Sequence, residues 1–242
     1  MLLKFSRPNA KLIKLQKKLN KRVYSLDLLS GWSCPFADKC YSKVIDLPNG
    51  KHKIKDGINT EFRCYSASEE AFYTQVYNYR KRNFDLLRKS SDKVKLLEDS
   101  LPSNAEVIRI HSSGEMYQQN YFDCWLSIAR NHPDITFYTY TKSIPYWIKR
   151  LNEIPENFSL TASYGGKKDD LIEKYRLRYC KVVFSKYEAR KSALPIDHDD
   201  SHAVKRDGNF ALLLHGVQPA GKKSAKRWDI LKKTKQSGYS RS

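Results

Sequence analysis

The chain has 242 residues, 40% of them hydrophobic, with a mean hydropathy of −0.68. That is enough for one good core, while the longest apolar runs, such as Phe210 to Leu214, fall far short of the roughly 20 residues a membrane span needs. The formal charge is +19, and the ends supply +15 of it, because residues 1–26 hold eight basic and no acidic side chains and residues 222–242 hold eight basic and one acidic.

Such ends attract polyanions through counterion release and without sequence choice, so nucleic acid or a nucleotide is a candidate partner. A pair of solvated, partly disordered ends is the other reading of the same charge. The basic N-terminus is not followed by an apolar stretch with a small-residue cleavage site, so no secretory signal is expected. Five unevenly spaced cysteines do not suggest a disulfide framework. The expectation is a soluble, cytoplasmic protein whose thiols serve metal binding or packing. One α/β domain is expected over 21–234, between a basic N-terminal extension (1–20) and a basic C-terminal tail (235–242).

In chain order, Val23 to Leu29 reads as the first strand, and it runs into the turn-like Ser30-Gly31-Trp32-Ser33-Cys34. Ser66-Ala67-Ser68-Glu69 fits a capping box for a helix continuing through Phe72, Val76, Phe84 and Leu87. Strands are predicted at Glu106–Ile110, Ile135–Tyr140, Phe158–Ala162, Lys181–Phe184 and Phe210–Leu214. Helices are predicted at Tyr121–Arg130, from Pro145, near Asp169–Tyr175 and at Ser224–Lys233. Short strands alternating with helices predict a parallel sheet, whose chemistry belongs at the carboxyl ends of the strands. Polar groups follow those ends: His111-Ser112-Ser113-Gly114-Glu115, Thr141-Lys142, Ser163, Ser185 and His215-Gly216. Turns and caps account for the isolated serines, whereas Glu115, Lys142 and His215 are candidates for chemistry.

Cys34 and Cys40 lie in one loop and Cys64 returns 24 positions later, just before the capped helix. Three converging thiolates suit a soft metal or an iron–sulfur cluster with one open iron, and zinc is the alternative with a fourth ligand. Cys124 and Cys180, each among apolar neighbours, read as core residues. Asp197-His198-Asp199-Asp200-Ser201-His202 packs carboxylates and imidazoles tightly enough to ligate a metal or move protons, with His198 and His202 the better candidates. A turn-rich surface loop is the other reading of that segment.

Taken together, Cys34-Pro-Phe-Ala-x-x-Cys40, Phe62-Arg63-Cys64, Arg109 to Glu115, Tyr138 to Lys142, Leu194 to His202 and Leu214 to Gly221 resemble the phage "gene product 88" family, over about residues 25–230. A more distant resemblance is to radical S-adenosylmethionine enzymes, in which a three-cysteine loop follows the first strand and a Gly-Glu motif the second. That resemblance implies a partial (β/α)6 barrel. It also implies a 4Fe–4S cluster on Cys34, Cys40 and Cys64, and S-adenosylmethionine held near Ser113, Gly114 and Glu115. The gaps of five and twenty-three residues between the cysteines depart from that family's three and two. Two functions are expected from these features: an iron–sulfur enzyme acting on a nucleotide or nucleic acid, with Lys142, His198, His202 and His215 as catalytic candidates, or a nucleic-acid-binding protein with a structural cluster or zinc. A metal-dependent nuclease centred on Asp197 to His202 ranks behind both.

Overall fold

A computed structural model describes residues 1–234; the predicted tail 235–242 lies outside them. The chain opens with β1 (Phe5–Ser6), α1 (Ala10–Leu19) and β2 (Val23–Leu26). A hairpin follows, β3 (Ser42–Asp46) and β4 (His52–Asp56), then α2 (Tyr65–Phe72), α3 (Thr74–Lys89) and α4 (Lys93–Glu98). Strands and helices then alternate: β5 (Val107–Ile110), α5 (Gln119–Asn131), β6 (Thr136–Thr141), α6 (Ile144–Ile148), β7 (Phe158–Ser163), α7 (Asp170–Lys174) and β8 (Tyr179–Val183). Two short helices, α8 (Lys186–Lys191) and α9 (Ser201–Lys205), precede β9 (Phe210–Leu213) and α10 (Lys223–Lys233).

Seven strands form one mostly parallel sheet in the order β1-β2-β5-β6-β7-β8-β9, with only β1 antiparallel. All six predicted strands are in it, and the strand order follows the chain with no reversal. The period-2 alternation of strand side chains assigns two different faces. Leu26, Ile108, Ile110, Phe137, Phe158, Leu160 and Ala162 pack with Phe84, Leu87, Trp125, Ile128, Trp147 and Ile172 from α3, α5, α6 and α7. The helices from α3 to α7, which join β2 through β8, therefore cover one face. On the other, Val23, Val107, Tyr138, Cys180 and Phe210 pack against Leu12 and Leu15 of α1 and Ala203 of α9.

The stretch 1–20, expected as an extension, is thus part of the domain: Leu12 and Leu15 are fully buried. The helix is an ordinary amphipathic one, capped by Asn9, whose side chain accepts from the Leu12 amide, and closed by Asn20 in the left-handed region. Its lysines face outward except Lys11, which turns inward. The helix predicted to open at Ser66 begins instead at Tyr65, with Cys64 as its N-cap residue, and breaks at Tyr73 before α3.

Candidate functional site

A cavity of about 490 Å³ opens at the carboxyl ends of the parallel strands, within the range of small-ligand sites. Its wall takes a contribution from every strand end: Cys34 and Cys40 after β2, Gly114 and Glu115 after β5, Lys142 after β6, Ser163 at the end of β7, Val182 of β8 and His215 after β9. Cys64 completes it from the start of α2.

The long gap between Cys40 and Cys64 disappears in three dimensions. Ser42 pairs with Asp56 at the open end of the β3–β4 hairpin, so the chain returns to where it left. Beyond it, the amides of Glu61 and Phe62 both donate to the Lys39 carbonyl, and the Cys64 amide approaches the Ser42 hydroxyl at 3.4 Å. The hairpin is an excursion on an otherwise short three-cysteine loop.

Burial pushes the Cys34 thiol well above its usual range, reinforced by Glu115, Cys64 and Cys40. Burial also lifts Cys64 to about 11, with Cys40 adding to it, against a downward pull from the amides of Ser66 and Ala67 at the start of α2. The three thiols therefore sit within electrostatic reach of one another. Among the described residues, no three His, Cys, Asp or Glu side chains are close enough to hold a single metal ion. A mononuclear zinc site needs its sulfurs about 2.3 Å from one point. Three thiols around one opening are a donor set that a cluster accepts through three irons, or that zinc accepts with a fourth ligand.

Glu115 is fixed by the Thr141 hydroxyl at 2.8 Å and by the amides of Met116 and Lys142 at 2.8 and 2.6 Å. Burial raises its pKa, and these donors pull the other way. Its own amide donates to the Ser33 hydroxyl, one residue before Cys34. Lys142 Nζ donates to Ser163 at 2.7 Å; burial opposes its charge, but the nearby Cys40, Cys180 and Glu115 raise its pKa. His215 lies against Tyr65, ring centroids 4.5 Å apart, and burial lowers it to about 3. Behind the wall, Glu70 accepts from the Ser30 amide and hydroxyl and from Ser113, tying the cysteine loop to the loop after β5.

Eight of the ten sequence-predicted site residues thus line one cavity: Cys34, Cys40, Cys64, Ser113, Gly114, Glu115, Lys142 and His215. His198 and His202 do not line it. His202 stacks on Phe210 and meets the Asp207 carbonyl, and His198 is half-buried in the loop before α9. The acidic segment folds as a support: Asp197 accepts from the amides of Asp199 and Asp200. Asp200, fully buried, accepts from Arg109 at 2.6 Å, from Tyr138 at 3.0 Å and from Tyr140 at 2.7 Å, and pairs with Lys11 at 2.5 Å. Burial resists its charge, yet Arg109 and Lys11 hold its pKa below the usual carboxylate range. Arg109, Tyr140 and Lys11 also line the cavity, and none of them was singled out from sequence. The available signal was an arginine between two isoleucines in a strand predicted to be buried. Cys124 and Cys180 are buried in the core as expected.

No curated protein and no solved structure matches the chain. Residues 1–230 match the family described as Gene product 88. With nearly its whole length covered by that match, the chain belongs to the Gene product 88 family.

Proposed function

We propose that the protein is an iron–sulfur enzyme of the radical S-adenosylmethionine type, in which Cys34, Cys40 and Cys64 hold a 4Fe–4S cluster and the cavity receives a nucleotide or a nucleotide unit of nucleic acid. The observation that carries this reading is the convergence of the three thiols with Glu115 and Lys142 on one cavity at the carboxyl rim of the sheet. A run of parallel strands that follows chain order supports a partial (β/α)6 barrel, since a doubly wound sheet reverses direction; α1 and α9 cover part of the opposite face.

When bound, the cluster and S-adenosylmethionine would supply one-electron chemistry. The chain's own residues orient and enclose. Glu115, pinned by three donors, presents a carboxylate fit to pair with an ammonium group. Gly114, with a positive φ, lets the loop backbone approach Leu28 and Ser33 closely. Lys142 keeps a proton beside the thiols, and Glu70 ties the loop after β2 to the loop after β5. Two basic helices reach the same opening, α1 through Lys11 and α10 through Trp228, which supports a phosphate-bearing substrate.

Anaerobic reconstitution with iron and sulfide, followed by titration with S-adenosylmethionine, tests the reading. A brown chain that binds S-adenosylmethionine, and binds it at least tenfold less tightly after Glu115→Gln, is expected. A cluster-loaded chain with no affinity for S-adenosylmethionine would leave a nucleic-acid-binding protein with a structural cluster as the better account.

A further inference from the structure

We propose that Arg109 is a recognition residue for a substrate oxyanion, and that the cavity takes a nucleotide by its phosphate. The inference rests on the cavity being a substrate site, as argued above, and adds what that site selects.

Arg109 projects from β5 on the face that packs against α1 and α9, and its side chain is only 10% exposed. One edge of the guanidinium is committed: Nη1 donates to Asp200. Nε is buried with no partner among the described residues. The group lies 5.1 Å from the centroid of the Tyr140 ring, which together with Asp200 fixes its plane. A buried guanidinium N–H without an acceptor is costly, and a fork held on one side by a carboxylate and on the other by a ring is a preorganised receiver for an oxyanion.

The charges around it point the same way. Arg109 shares the Asp200 carboxylate with Lys11. Lys142 donates to the Ser163 hydroxyl rather than to a carboxylate. Asp197 also acts on Lys11 through space, but it does not line the cavity, and its Oδ1 is taken by two amides. Of the charged side chains that line the cavity, Arg63, Arg109 and Lys142 are cationic beside Lys11, and Glu69 and Glu115 are the carboxylates. A phosphate between Arg109 and Lys142 would meet two of these cations.

Calorimetry with nucleoside 5′-monophosphates, the matching nucleosides and inorganic phosphate tests the idea, on both the cluster-loaded and the metal-free chain. Monophosphates should bind about tenfold to a hundredfold more tightly than nucleosides, and Arg109→Gln should reduce that ratio to about one. Lys89→Ala, an exposed change on α3 away from the cavity lining, should preserve it. If Arg109→Gln alone does not fold, Arg109→Gln with Asp200→Asn removes the charge pair together and carries the same expectation. Equal binding of nucleoside and monophosphate, or an unchanged ratio in the arginine variant, would overturn the proposal. A short single-stranded oligonucleotide that displaces the monophosphate identifies nucleic acid as the source of the phosphate, and failure to displace it identifies a free nucleotide; either upholds the phosphate site. Iron content of the same samples reports on the cluster separately, so the two readings fail independently.

Discussion

Replacing Gly114 by alanine should disturb the candidate site from a position that bears no functional group. Gly114 has a φ of +88°, and an added Cβ would stand 2.7 Å from the Leu28 Cβ, 2.8 Å from the Ser33 hydroxyl and 2.9 Å from the Leu28 carbonyl. The left-handed conformation costs an alanine about 1–2 kcal/mol, and overpacking of this kind adds about 1–3 kcal/mol. Gly50 is the internal control: its φ is +73°, but nothing lies within 4 Å of its added Cβ, so Gly50→Ala carries the backbone strain alone. Urea unfolding of both variants, followed by circular dichroism, should show Gly114→Ala the less stable by about 1–3 kcal/mol. The clash also falls on Ser33, which donates to the Leu29 carbonyl, accepts from the Glu115 amide and precedes Cys34. Cys34 should accordingly become more reactive to a thiol reagent in Gly114→Ala and stay unchanged in Gly50→Ala. Equal stabilities within about 0.5 kcal/mol, the usual scatter of uneventful substitutions, would refute the packing argument.

Leu12→Ala should cost about 2–5 kcal/mol, because the side chain is fully buried against the sheet; a shift near zero in the unfolding midpoint would mean that α1 is a detached extension after all. Asp200→Ala leaves Lys11 and Arg109 without their shared carboxylate and should cost about 3–5 kcal/mol, part of it recovered when Arg109→Met is added; a double-mutant cycle with no coupling would contradict the buried ion cluster. Burial holds His111 neutral down to about pH 3, whereas an unfolded histidine takes a proton near pH 6.5. Its contribution to stability is therefore complete above about pH 6.5 and is lost as the pH falls toward 3, at about 1.4 kcal/mol per pH unit. Asparagine tolerates the positive φ at this position, so the stability gap between the parent and His111→Asn should narrow at that slope between pH 6 and 4; parallel pH profiles would count against it.

The strands of the main sheet were legible because β-branched and aromatic runs such as Val107–Ile110 and Thr136–Thr141 stand between clear helical stretches. The rim residues followed from that, since a parallel sheet brings its strand ends to one side. Charge obscured α1: its lysines dominate the composition, while the burying pattern rests on Leu12 and Leu15, with Asn9 and Asn20 as the caps. The hairpin was legible in principle, because Asn49-Gly50 between the alternating Ser42–Asp46 and His52–Asp56 is a strong turn signal. Read only as a spacer between cysteines, the segment concealed the return of Cys64 to Cys40. The acidic segment was illegible in kind. Sequence shows Asp200 beside two histidines, but only the left-handed backbone at Asp200 turns its carboxylate inward to Arg109, 91 positions away in the chain. Glu70 stands near the start of α2 in the sequence, and in the fold it joins two loops.

The central claim, that Cys34, Cys40 and Cys64 hold one cluster, is tested most directly by iron and sulfide analysis of anaerobically reconstituted single Cys→Ser variants at all five cysteines. The account predicts about four irons and four sulfides per chain in the parent and in the Cys124→Ser and Cys180→Ser proteins. It predicts a loss of most of that content in each of Cys34→Ser, Cys40→Ser and Cys64→Ser. Full iron and sulfide content in a folded Cys40→Ser protein, or a parent chain that takes up zinc but no sulfide, would contradict it.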